Sequence, residues 1–269
     1  MSDETPQGKE ALYRAIISYI FNKHYPTNPD GFVFVRDEIV EAVTTLDLQR
    51  PANLGDVIYS FRYRQPLPEH ILDTADPGLE WIIEGAGRAK YRFKQVKLSR
   101  ILPRNDLLTI KIPDATPEII RKNAKYDEQA LLAKVRYNRL IDTFLGIASY
   151  SLQSHLRTSV KKMGQIEIDE IYVGVNSNGQ QYVIPVQAKG GKDQHAITQT
   201  NQDVRYCAQE YPNLICRAVS AQFMGDDRIA MFELMIDDDE IKVVREKHYK
   251  LVAASDISDK DLSVYARME

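Results

Sequence analysis

Glu167, Asp169, Gln187 and Lys189 fall on two strand-like segments joined by the turn material Asn176-Ser177-Asn178-Gly179. Side-chain alternation puts Gln165, Glu167, Asp169 and Ile171 on one side of the first strand, with Ile166, Ile168, Glu170 and Tyr172 on the other. On the second strand Gln187 and Lys189 share a face, opposite Val186 and Ala188. Phosphodiester hydrolysis needs an activated water, a counter-charge for the pentavalent phosphate and relief of charge on the leaving oxygen. A hard divalent cation held by oxygen ligands supplies all three. In that chemistry Asp169 is the principal Mg2+ ligand, Gln187 offers an amide oxygen and Ala188 its backbone carbonyl. Lys189 orients or helps deprotonate the attacking water and stabilises developing negative charge. Glu167, about 7 Å along the strand from Asp169, binds a second ion or polarises water, and Glu128 could add a carboxylate from a helix. Taken singly, each residue reads as a solvated acid or strand end. Two acids, a turn and a same-face Gln-x-Lys together point to a site.

The site places a demand on the hairpin. A three-residue loop Ser177-Asn178-Gly179 sets Asp169 opposite Gln187 on one face of the sheet. A two-residue Asn178-Gly179 turn shifts the pairing by one and sets Asp169 opposite Ala188. Pro185 adds a tension, because it removes a backbone donor from a strand that the site wants near the sheet centre.

The elements that must position this hairpin follow from the rest of the chain. Its 269 residues suffice for two cores, and 27% charged with 43% hydrophobic residues is an ordinary globular mix. A net charge of −3 excludes a histone-like binder, so contact with nucleic acid has to come from local patches. Cys207 and Cys216 alone exclude a disulfide framework or a multi-cysteine zinc ribbon. No apolar run approaches the roughly 18 residues of a membrane span, so no membrane partner is expected and the cytoplasm is the expected compartment.

Residues 9–22 carry an apolar helical stripe, Phe32 to Val35 reads as a short strand, and Ile39, Val40 and Val43 as the inner face of a second helix. A third helix begins after Pro51 and Asn53, buries Leu54, Val57, Ile58 and Phe61, and ends at Arg62-Tyr63-Arg64. Two strands around Gly85-Ala86-Gly87 complete the order of a winged helix-turn-helix. Arg88, Lys90, Arg92 and Lys94, read as one strand face, suit phosphate contacts, while Arg62 and Arg64 lie near a groove. The predicted organisation is a winged-helix-like DNA-binding domain over 1–104, a proline-broken connector over 105–126, and a catalytic domain over 127–269. Within the last, the spacing from Asp127 to about Val160 predicts helix, with Gly146 as a break or a divide between two helices. A helix from about Gln194 to Gln209 and strands over 214–223, 229–236, 241–244 and 249–252 complete an α/β core around a mixed sheet. The acidic run Asp237-Asp238-Asp239-Glu240 reads as a solvated turn, and His195 as a helix-start histidine.

Asp169 followed by Gln187-Ala188-Lys189 resembles the PD-(D/E)XK nuclease superfamily, and more closely its restriction-endonuclease-like members. In that family an acid on one strand precedes an acid-any-lysine triplet on the next. Here glutamine stands for the triplet's acid, as in some restriction endonucleases, which lowers the site's negative charge. Gln199 lies where some relatives carry a glutamine near the site, and the resemblance covers roughly Asp127 to Ile236. It implies a mixed-sheet restriction-endonuclease-like core and a Mg2+-dependent type II restriction enzyme acting on double-stranded DNA as a homodimer, one site per strand. The alternatives are a repair, junction-resolving or modified-DNA nuclease, and a non-catalytic winged-helix regulator.

Overall fold

The computed structural model describes residues 6–97, 100–125, 127–160, 164–190, 195–237 and 240–268. The chain divides into two units: residues up to 99 with 159–165, and residues 100–158 with 166–269.

The first unit begins with helix α1 (Pro6–His24), followed by β1 (Gly31–Val35), α2 (Asp37–Thr45) and α3 (Leu54–Tyr59), which runs on as a π-helical turn over Ser60–Arg64. Asn53 caps α3 by accepting from the Gly55 N–H at 3.0 Å. After the short α4 (Glu69–Leu72), strands β2 (Glu80–Gly87) and β3 (Lys90–Val96) form an antiparallel sheet in the order β1-β3-β2. Alternation along β1 buries Phe32 and Phe34 and leaves Val33 and Val35 exposed. Those two rings join Phe21, Trp81 and Phe93 in an aromatic centre, with Phe21 edge-on to both Trp81 at 5.3 Å and Phe93 at 5.1 Å. Ile16, Ile17, Ile20, Ile39, Val57 and Ile58 fill in around it.

The second unit contains β4 (Arg100–Ile101), β5 (Thr109–Pro113), α5 (Glu118–Asn123), α6 (Glu128–Tyr137), α7 (Leu140–Leu145) and most of β6 (Ala148–Val160) and β7 (Gly164–Val175). It continues with β8 (Gln181–Lys189), β9 (His195–Ala196), α8 (Ile197–Glu210), β10 (Ile215–Cys216), β11 (Ala218–Phe223), β12 (Arg228–Asp237), β13 (Glu240–Val252) and α9 (Asp259–Tyr265). Its eight-stranded mixed sheet runs β5-β13-β12-β11-β8-β7-β6, with β10 beside β8. The meander β6-β7-β8 is antiparallel at β7–β8, and α8 then crosses over so that β10 and β11 lie parallel to β8. Leu131, Leu132, Val135, Leu140, Ile141 and Phe144 from α6 and α7 pack on Tyr172, Ile184, Val186, Ala188, Val219 and Met231 of the sheet.

Several expectations change. The helix expected up to about Val160 stops at Leu145, where Gly146 takes a left-handed conformation (φ 70°) and its N–H closes onto the Asp142 carbonyl at 2.8 Å. The remainder is strand β6: pairing with β7 overrides the helical spacing of Leu152 and Leu156, and Leu152 is exposed. The segment 105–126, read as a connector, supplies β5 as the outermost strand of the sheet, parallel to β13, with Ile110 and Ile112 against the core. The first unit closes at residue 99 rather than 104, because Arg100 and Ile101 pair with β9. Arg88 lies in the β2–β3 turn rather than on the strand face of Lys90, Arg92 and Lys94. Asp238 and Asp239 of the acidic turn, and Gln194 at the expected start of α8, lie outside the described residues. No described helix is long and apolar enough to cross a membrane.

Candidate active site

The β7–β8 hairpin takes the three-residue loop. Asn176 and Gln180 form its closing pair, with the Asn176 N–H on the Gln180 carbonyl at 3.1 Å, and Gly179 supplies the positive φ of 77°. The register runs Val175 to Gln181, Ile171 to Pro185 and Glu170 to Val186, which brings Asp169 alongside Gln187 and Ala188. Counting the alternation from the closing pair puts Pro185 at a position that makes no hydrogen bond to β7. Its missing donor falls where β10, paired to Tyr182 and Val183, gives way to β11, paired to Val186 through Lys189. The proline therefore sits in a central strand without leaving a broken ladder.

Glu170 and Tyr172 point to the α6 side, Glu170 being 0% exposed and bonded to Arg136, Ser151 and Tyr172. Asp169, Gln187 and Lys189 occupy the α8 side, towards the carboxyl end of β8. Asp169 Oδ2 accepts from the Ala188 N–H at 2.8 Å. Burial pushes its carboxyl up, while the nearby Lys189 ammonium and the Ala188 N–H act in the other direction. Lys189 is 9% exposed, and its Nζ lies 3.3 Å from Glu128 Oε1 at the start of α6. Gly190 permits that approach, since a Cβ there would stand 3.1 Å from both the Asp127 carbonyl carbon and the Glu128 nitrogen. Glu128 thus joins the site from outside the hairpin.

The Gln187 amide is held on both ends. Its Nε2 donates to Asp203 on α8 at 3.1 and 3.2 Å and to the Glu167 carbonyl at 3.1 Å. Its Oε1 accepts from Gln199 Nε2 at 3.3 Å, while Gln199 Oε1 accepts from the Ala196 N–H at 3.4 Å. Asp203 is 2% exposed, and burial raises its carboxyl well above the usual carboxylate range, with Asp169 adding to the effect. The side chain of Glu167 turns to Arg157 at 3.1 Å and stays exposed, so what it brings to Gln187 is its backbone carbonyl. His195 is fully buried, bonds Thr200 through Nε2 at 2.6 Å and has its pKa lowered by burial to about 3, so it packs as a neutral ring.

Sequence reasoning passed over Asp203. Its trace is helical spacing: Gln199 and Asp203 stand one turn apart, and the inner face of α8 carries Thr198, Thr200, Gln202 and Asp203 where an ordinary packing helix would be apolar.

Among the described residues no group of three or more His, Cys, Asp or Glu side chains is placed to hold a metal. The oxygen donors these residues offer are of mixed kind: the Asp169 carboxylate, the Gln187 amide oxygen and the Ala188 carbonyl. All are hard oxygen ligands, and the Gln187 oxygen keeps a second lone pair beyond the one Gln199 uses, so the set fits a cation of the Mg2+ type.

In the first unit, Lys90 and Arg92 are exposed on the outer face of β3 and Lys94 is half-buried. Arg92 pairs with Glu84 at 3.2 Å. Arg64 is 61% exposed, stacks over Tyr59 at 4.6 Å and pairs with Asp56 at 3.3 Å. Arg62 lies over the Tyr63 ring at 4.9 Å with Nε and Nη2 buried, which covers part of the guanidinium that a groove contact would use. Comparison of the chain with protein-family models, with curated proteins and with solved structures returned no match.

Proposed function

We propose that the chain is a Mg2+-dependent DNA endonuclease of the restriction-enzyme type, acting as a homodimer in which each copy addresses one strand. The observation that carries this reading is the convergence of Asp169, Gln187, Ala188 and Lys189 at the carboxyl end of β8, with Glu128 and Gln199 added from two helices. The mixed sheet, with a meander followed by a crossover helix and a parallel strand, supports a restriction-endonuclease-like core. Strand order β1-β3-β2, with β1 after α1 and the β2–β3 hairpin after α2 and α3, supports a winged helix in the first unit, with Lys90, Arg92 and Lys94 on duplex phosphates.

Asp169, the Gln187 oxygen and the Ala188 carbonyl would hold the metal. Bound there, a divalent cation supplies charge neutralisation at the phosphate and a more acidic water. Lys189 opposes the rise that burial imposes on the Asp169 carboxyl and stabilises charge developing on the phosphate oxygens. Glu128 fixes the Lys189 ammonium by accepting from it, and Gln199 ties α8 to the same strand end.

The test is incubation of the purified protein with unmodified plasmid and Mg2+, beside Asp169→Ala and Lys189→Ala. Discrete fragments that vanish in both variants are the expected result. DNA binding without cleavage under every metal tried overturns the enzyme reading, and cleavage only of methylated or branched DNA shifts it to a repair or modified-DNA nuclease.

A further inference from the structure

An amide has two unlike ends, and only its oxygen can ligate a hard cation; an NH2 group turned the same way would repel one. The identity of residue 187 leaves that choice open, whereas its neighbours decide it. The Glu167 carbonyl 3.1 Å from Nε2 can only accept, so the NH2 end faces it, and the same end meets both oxygens of Asp203 at 3.1 and 3.2 Å. Asp203 sits at 2% exposure inside α8, where a carboxyl group is costly and an apolar residue would pack at no such cost. Both of its carboxyl oxygens are directed at the Gln187 amide.

We infer that Asp203 is a positioning residue: it consumes the NH2 end of Gln187 inside the protein and so leaves the amide oxygen as the end available to a divalent cation. The inference rests on the metal-dependent reading of the site. Asp203→Asn weakens this arrangement, because the amide it introduces can meet Gln187 with either its oxygen or its NH2, leaving the Glu167 carbonyl and Gln199 alone to hold the orientation of the Gln187 amide. A group whose role is to hold the fold would lower stability when altered. A buried carboxyl kept for orientation should leave stability unchanged or raised when replaced by an amide of the same shape.

Calorimetric titration of the full chain with Mn2+, paired with thermal unfolding, separates these cases for wild type, Asp169→Ala, Asp203→Asn, Gln187→Leu and the Gln187→Leu/Asp203→Asn double variant. Expected are loss of Mn2+ binding in Asp169→Ala and a Kd raised about tenfold to a hundredfold in Asp203→Asn, with an unchanged or higher Tm. The double variant is expected to bind no more weakly than Gln187→Leu alone, since Asp203 acts through the amide. Wild-type affinity in Asp203→Asn, or additive losses in the double variant, overturns the positioning role. Should Gln187→Leu fail to fold, the Asp203→Asn affinity and Tm decide alone: a lowered Tm with intact affinity marks a structural acid. If instead Asp169→Ala binds Mn2+ as wild type does, the metal-site reading itself falls and carries this inference with it.

Discussion

Asp169 and Glu170 are adjacent acids on one strand with opposite assignments, and exchanging each for a neutral residue should separate catalysis from stability. Glu170 is 0% exposed and accepts from Arg136 Nε at 3.0 Å, Ser151 Oγ at 2.7 Å and the Tyr172 hydroxyl at 2.9 Å. In Glu170→Ala the buried Tyr172 hydroxyl loses its acceptor, at about 1–3 kcal/mol. Arg136, with 47% of its side chain exposed, regains water and adds little. With the void left by the missing side chain the loss comes to about 3 kcal/mol, a fall in Tm of about 6–12 °C for a unit of this size. Asp169→Asn keeps an oxygen for the Ala188 N–H and removes a carboxylate that burial disfavours and that repels Asp203. Its stability should stay within about 1 kcal/mol of wild type or rise, while Mg2+-dependent cleavage falls about a thousandfold. Circular dichroism melts and plasmid cleavage read the two quantities. An Asp169→Asn protein that melts as low as Glu170→Ala while cutting at the wild-type rate would refute the assignment of faces.

Gly190→Ala drives a Cβ to 3.1 Å from the backbone at the start of α6, so about 1–2 kcal/mol of stability and at least tenfold in cleavage should be lost as Glu128 moves off Lys189; unchanged melting and cutting contradict the close approach. His195 is neutral in the fold down to about pH 3, whereas the unfolded chain protonates it below 6.5, so its contribution is present above pH 6.5 and is lost on acidification through that window. Between pH 7.5 and 5, wild type should lose about 2 kcal/mol more than His195→Gln in denaturant unfolding, and parallel curves would disprove the buried neutral ring. Replacing Lys90, Arg92 and Lys94 with glutamine should reduce the slope of log K against log salt for duplex DNA by about two, since Arg92 is already partly neutralised by Glu84; an unchanged slope overturns the proposed contact of β3 with DNA.

Local pattern made the hairpin legible. Period-two alternation separated Asp169 from Glu170, and the spacing of Ser177, Asn178 and Gly179 set the register, because both depend on backbone geometry over a few residues. The aromatic strand Phe32 to Val35 and the cap at Asn53 were legible for the same reason. Strand β6 was not: its leucines recur at helical spacing, and only the partner offered by β7 turns the segment into sheet. Nor was the segment 105–126, whose strand β5 exists by virtue of β13, far along the chain. Residue types therefore determined which face of one hairpin carries Asp169, Gln187 and Lys189. Tertiary structure alone decided that Glu128 meets Lys189 and that Asp203 meets the Gln187 amide, because those contacts are set by how α6 and α8 pack on the sheet.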